Sequence, residues 1–214
     1  MRSQTVVACG RPARGFGSSA GYARCRTSCC EAVLLTYMSI QDEIQNRLQE
    51  NRLFRLERAL PSDPVGRDML KLVVGPWNSP DMQGRCGRLR ADLESFIGGD
   101  TLTICLRPFE AGVAYMRLLK PPSDGIFDIR SRDPNPALRV FGGFARRDVF
   151  VALTWAPRSK PLSWSSKQPL EGRNSREWRD AVLECKTAWK NLFGSYQPVT
   201  GDEIENYATS AVPV

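Results

Sequence analysis

Residues 125 to 161 read GIFDIRSRDPNPALRVFGGFARRDVFVALTWAPRSKP. Within this stretch Ile126, Asp128 and Arg130 alternate with Phe127 and Ile129, the period of two that sends successive side chains to opposite faces of a strand. Leu138 to Phe144 and Val149 to Trp155 are two more short apolar runs. Only Ala145-Arg146-Arg147-Asp148 joins them, a hairpin-length link. Upstream, Thr101 to Leu106 and Val113 to Leu119 have the same short form. Strands this close in sequence are expected to pair antiparallel, because a parallel crossover takes about a dozen residues. The expectation is an antiparallel sheet of about five strands.

Helical patterns lie on both sides of it. Ile40, Ile44, Leu48, Leu53, Leu56 and Leu60 form a stripe at near-helical spacing that Pro61 closes. A short helix is expected near Arg67 to Val74, before Gly75-Pro76. Asp81 reads as the cap of a third, with Met82, Cys86, Leu89, Leu93 and Phe96 on one side and Gly98-Gly99 as its stop. After the sheet comes a loop from Ala156 to Arg173, rich in Ser, Pro, Lys and Arg. Asn174-Ser175-Arg176-Glu177 then caps a helix with Trp178, Ala181, Val182, Cys185, Trp189 and Leu192 on its apolar side, ending at Gly194. Thr200 to Glu203 reads as the start of a short terminal helix. N-terminal helices, an antiparallel sheet and C-terminal helices make an α+β layer fold, a single domain over residues 38–214.

The chain has 214 residues, 42% hydrophobic and 25% charged, enough to bury one core. The longest apolar stretch, Ala32 to Met38, is broken by Thr36 and falls far short of the roughly 20 residues a bilayer span needs. No membrane partner is therefore expected. The sequence contains no histidine, which removes histidine triads, histidine-ligated metals and any imidazole base. Nothing in the seven cysteines forms a disulfide framework, so a reducing cytoplasm is the expected compartment. Cys86, Cys105 and Cys185 fall on apolar positions and read as core.

The net charge of +7 invites a polyanionic partner, yet its distribution is uneven. Arg2, Arg11, Arg14, Arg24 and Arg26 face one acid, Glu31, so residues 1–37 alone carry +4. That segment reads as a disordered extension. Sequence upstream of a start at Met38, or an Arg- and Ser-rich leader of the organellar type, are the alternatives. Thr5 to Cys9 also has strand character. Gly10 to Gly15 has P-loop spacing, but Phe16 and Gly17 stand where the lysine and the hydroxyl would be needed. Cys9, Cys25, Cys29 and Cys30 lack the C-x-x-C spacing of a zinc site.

Six arginines and Lys160 crowd into residues 125–161. Their plainest reading is a solvated sheet face, paired with Asp128, Asp133 and Asp148 at about 0–1 kcal/mol each. Trp178 and Trp189 sit at core-facing helical spacing. Trp155 and Trp164 flank the basic loop and could stack on bases.

The succession Phe127-Asp128-Ile129-Arg130, Arg139-Val140-Phe141, Val149 to Leu153 and Arg158-Ser159-Lys160 resembles the RelE/HigB-like toxin superfamily, over about residues 113–161. The resemblance implies two helices packed on a small antiparallel sheet. It also implies a ribosome-associated endoribonuclease that cleaves mRNA without metal or cofactor, with an antitoxin protein as partner. The RNA 2′-hydroxyl would attack the adjacent phosphate while cations stabilise the pentavalent transition state. On this resemblance Arg130, Arg139, Arg158 and Lys160 are the candidate catalytic cations. Arg132, Arg146, Arg147, Trp155 and Trp164 are the candidate RNA contacts. The tyrosine or histidine such enzymes carry near the chain end has no clear counterpart, since Tyr196 and Tyr207 lie beyond a long helix. The alternative is a non-enzymatic interaction module of mobile-element-like origin. A nuclease needs the four cations on one concave face; an interaction module needs an exposed apolar patch.

Overall fold

The computed structural model describes residues 4–8, 39–55, 68–107, 113–172 and 174–214. The strands are β1 (Gln4–Ala8), β2 (Leu53–Arg55), β3 (Leu102–Cys105), β4 (Met116–Leu118), β5 (Ile126–Ser131), β6 (Leu138–Arg146), β7 (Val149–Pro157) and β8 (Ala211–Pro213). The helices are α1 (Ile40–Gln49), α2 (Asp68–Val74), α3 (Pro80–Gly98) and α4 (Arg176–Phe193). All eight strands form one sheet in the order β2-β1-β7-β6-β5-β4-β3-β8. The six strands from β7 to β8 come from residues 102–213, and β1 and β2 extend the β7 edge.

The centre of the sheet is the expected antiparallel meander. Ile129 pairs with Val140 and Phe141 with Thr154 across β5-β6-β7. The hairpin between β6 and β7 closes on Arg147-Asp148, with Asp148 in the left-handed region at φ 62°. Its carboxylate accepts hydrogen bonds from the Thr209 backbone N–H at 2.7 Å and from Thr209 Oγ1 at 2.6 Å, which fix the turn against the C-terminal segment.

The periphery departs from expectation. The sheet is mixed: β3 runs parallel to β4, and β8 and β1 run parallel to β3 and β7. Residues 106–115 separate β3 from β4. At about 3.3 Å per extended residue, that length can traverse a four-residue strand and return to its starting end, so a short link need not make a hairpin. The expected terminal helix is instead a single 3-10 turn, Ile204–Asn206, after which β8 pairs with β3. Gln4–Ala8 is a strand, the alternative reading of that segment; residues 9–38 lie outside the described ones.

The helix boundaries follow local chemistry. Ser39 and Asp42 form a reciprocal capping box on α1. The stripe expected to continue to Leu60 stops at Gln49. Asn51 takes a left-handed φ of 53°, which asparagine tolerates better than most residues, and the Arg52 N–H bonds to the Arg47 carbonyl at 2.9 Å. Leu53 then enters β2, buried; Leu56 and Leu60 lie outside the described residues. Ser79, rather than Asp81, caps α3, and Gly99 ends it at φ 80°. Ser175 caps α4 and Gly194 ends it.

Each sheet face carries its own core. On one, Leu89, Leu93 and Phe96 of α3 pack with Phe127, Ile129, Val140, Phe144 and Phe150. Tyr207 joins them edge-on to Phe127, with ring centroids 4.9 Å apart. On the other, Ile44 of α1 and Trp178, Cys185, Trp189 and Phe193 of α4 cover Ile126, Phe141 and Val151. Cys86 and Cys105 are also buried, as expected. Among the described residues no helix is long and apolar enough to cross a membrane.

Candidate functional site

The alternation in β5 decides where its charged residues go. Phe127 and Ile129 belong to the α3-side core, so Asp128 and Arg130 project with Ile126 toward α4. The same parity sends Arg139 of β6, between Leu138 and Val140, to the α4 side. Arg130 and Arg139 are direct cross-strand partners. Two like charges so placed repel unless an acid lies between them. Asp128 is that acid. Its Oδ2 lies 3.3 Å from Arg130 Nε and 3.4 Å from Arg139 Nη1.

The cluster is dry. Asp128 is 1% exposed and Arg130 9%. Burial pushes the Asp128 carboxyl above the usual carboxylate range, against the opposing pull of Arg139, Arg130 and Arg158. Burial likewise brings the Arg139 guanidinium down to about 10, although Asp128 pulls it up. Arg158, in the segment after β7, is half-buried. Its Nη1 donates to the Leu170 carbonyl at 3.1 Å, and its guanidinium lies 5.8 Å from the centre of the Trp178 ring.

The structure therefore brings Arg130, Arg139 and Arg158 to one face of the sheet, in a cluster covered in part by α4. Arg130 and Arg139 were expected on an exposed face; the structure corrects this, because α4 covers the face and Asp128 holds them. Lys160 is exposed beyond the β7 end. Arg132 lies just past the end of β5 and donates from Nη2 to the Ala114 carbonyl at 3.4 Å. It does not share the buried face of Arg130. Arg146 and Arg147 are exposed at the opposite end of the sheet, in the β6–β7 hairpin.

The tryptophan expectation also needs correcting. Trp155 is 7% exposed and belongs to the α3-side core, on the other face from Asp128. It stacks on Trp164 at 5.7 Å between centroids, and Trp164 Nε1 donates to Asp81 Oδ2 of α3 at 2.9 Å. This pair fastens the loop after β7 onto α3, and Trp155 offers no free ring face to a base. Trp178 and Trp189 are buried, as their spacing indicated.

Sequence patterning did not single out Arg117 of β4. It is 1% exposed, and its Cα lies directly opposite Asp128. The available signal was a lone cation between Met116 and Leu118 in an apolar run. Among the described residues no group of three or more metal-ligating side chains is assembled. No protein-family model, no curated protein and no solved structure matches this chain.

Proposed function

We propose that the chain is an RNA-directed protein of the RelE/HigB-like toxin type, contacting RNA at the sheet end where β5, β6 and β7 meet. The observation that carries this reading is the strand register. Ser131 pairs with Leu138, and Leu138 with Pro157. Arg132, Arg139 and Arg158 therefore issue from three adjacent strand ends, with Lys160 two residues further along. The packing of α2 and α3 on one face of the β5-β6-β7 meander also fits what the resemblance implies.

In this reading Arg132, Arg158 and Lys160 meet the phosphates. Arg130 and Arg139 are positioning residues, holding the strand ends in register through Asp128. Stabilisation of a pentavalent phosphate then falls to Arg158 and Lys160, and donors of this kind are each worth about 3–4 kcal/mol in other enzymes. The interaction-module alternative has less behind it. The exposed large apolar side chains among the described residues, Val113, Leu183, Val212 and Val214, lie on three separate stretches of chain.

The test is inducible expression of the full chain in a bacterial host, beside an Arg158→Ala, Lys160→Ala variant, with growth and mRNA ends followed together. Growth arrest with new mRNA ends, both lost in the variant, supports the reading. Normal growth with folded protein refutes cleavage. Filter binding of labelled single-stranded RNA then decides whether RNA is bound at all. Three phosphate contacts give a salt slope of about −2, and removing two of them reduces it by about 1.4.

A further inference from the structure

A cavity of about 420 Å³ lies between the β4–β5 pair and the N-terminal half of α4. At about 30 Å³ per molecule in the liquid, that is the volume of about 14 waters. Arg117 lines it, and none of its three side-chain nitrogens, Nε, Nη1 or Nη2, has a hydrogen-bond acceptor among the described residues. Asp128, directly across the strand, gives its Oδ2 to Arg130 and Arg139 instead. A guanidinium taken out of water without an acceptor costs several kcal/mol, so a fold that keeps one beside a cavity has a place for an anion.

We propose that this cavity binds a small organic monocarboxylate, with the Arg117 guanidinium as its counter-ion. The planar fork of a guanidinium matches the two oxygens of a carboxylate. Two acids on the wall set the ligand's charge. Asp124 is already paired with Lys186 at 2.8 Å, and Asp128 is shared by two other arginines, so a second negative charge on the ligand would face carboxylates. The body of the ligand is apolar, because Leu119, Pro121, Trp178 and Val182 make up much of the remaining wall. The site is separate from the strand-end cations and does not rest on the RNA reading.

The test is thermal unfolding of the full chain with phenylacetate, hexanoate or inorganic phosphate, using wild type, Arg117→Met and Val182→Trp. The expected result is a saturable rise in melting temperature with phenylacetate or hexanoate and none with phosphate. Arg117→Met melts above unliganded wild type, because it removes a buried charge, and it no longer responds to carboxylate. Val182→Trp fills the cavity with Arg117 intact and weakens the response by about tenfold or more in Kd. No response of wild type to either carboxylate overturns the proposal, and an equal response to phosphate overturns the carboxylate assignment. Arg117→Met melting below wild type also overturns it, because Arg117 would then have its acceptor within the protein.

Discussion

Replacing Asp128 by alanine removes the one carboxylate that separates Arg130 from Arg139. Each guanidinium lies 3.3–3.4 Å from Asp128 Oδ2, and the acid is 1% exposed. At an effective dielectric constant near 20, each contact has a gross attraction of about 5 kcal/mol. Most of this is offset by the cost of drying the three groups. Breaking such a pair by deleting one partner typically costs about 3–5 kcal/mol, because the other charge stays buried. For a chain of this size, about 2–4 °C of melting temperature per kcal/mol gives an expected fall of roughly 6–20 °C. Urea unfolding checks the free energy directly. Asp128→Asn keeps an acceptor oxygen and costs less than the alanine change. The pH dependence has a definite sign. Burial raises the Asp128 pKa in the fold, so the group's stabilising contribution is fullest below the ordinary carboxylate value of 3.8. That contribution declines as pH rises through the folded value, so the advantage of wild type over Asp128→Asn shrinks from pH 3.5 upward. An Asp128→Ala protein within about 0.5 kcal/mol of wild type would refute the reasoning, since the arginines would then not depend on this acid.

Gly142→Ala strains the centre of the sheet: a Cβ there would meet the Val151 carbonyl oxygen at 2.1 Å and Phe150 at 2.7 Å, at the β6–β7 register shift. A loss of about 3 kcal/mol or more is expected in denaturant unfolding, and a neutral result would show that the bulge relaxes freely. Tyr207→Phe deletes the bond from the Tyr207 hydroxyl to the Gly201 carbonyl at 2.7 Å while keeping the ring against Phe127 and Phe144. About 0.5–1.5 kcal/mol is expected, read from the shift in urea midpoint. Burial raises the Cys86 thiol to about 12 and the Cys185 thiol above its usual range. Mass-mapped alkylation at pH 8 should leave both unmodified until the protein is unfolded. Their stabilising contribution is full below about 9 and falls as pH rises toward 12, by up to about 1.4 kcal/mol per group per pH unit. A flat stability profile between pH 8 and 10.5 would contradict it.

Much of the local structure is legible in the sequence because it is decided within one turn of chain. Ser175 and Gly194 delimit α4, Gly99 ends α3, and Ile126 to Arg130 alternate as a strand must. At Ser79 the cap lies two residues earlier than the sequence suggests, within the ordinary tolerance of helix ends. Strand parity alone also puts Arg130 and Asp128 on the same face.

What covers that face is not legible. Arg130 and α4 are more than 40 residues apart in sequence, and only the fold lays α4 on the β5-β6-β7 face, turning exposed arginines into buried ones held by Asp128. Trp155 points into the other core for the same reason: its environment is α3 and Trp164, not the basic residues that follow it. The parallel pairings of β3 with β4 and β8 likewise depend on where the chain returns, which residue types do not encode locally. The sequence by itself determined which segments become helices and central strands, because capping, alternation and turn chemistry act between near neighbours. Tertiary structure alone decided which charges lose their water. Burial depends on contacts between distant segments, and that is why Arg117, a single cation in an apolar strand, became visible as a site only in the folded chain.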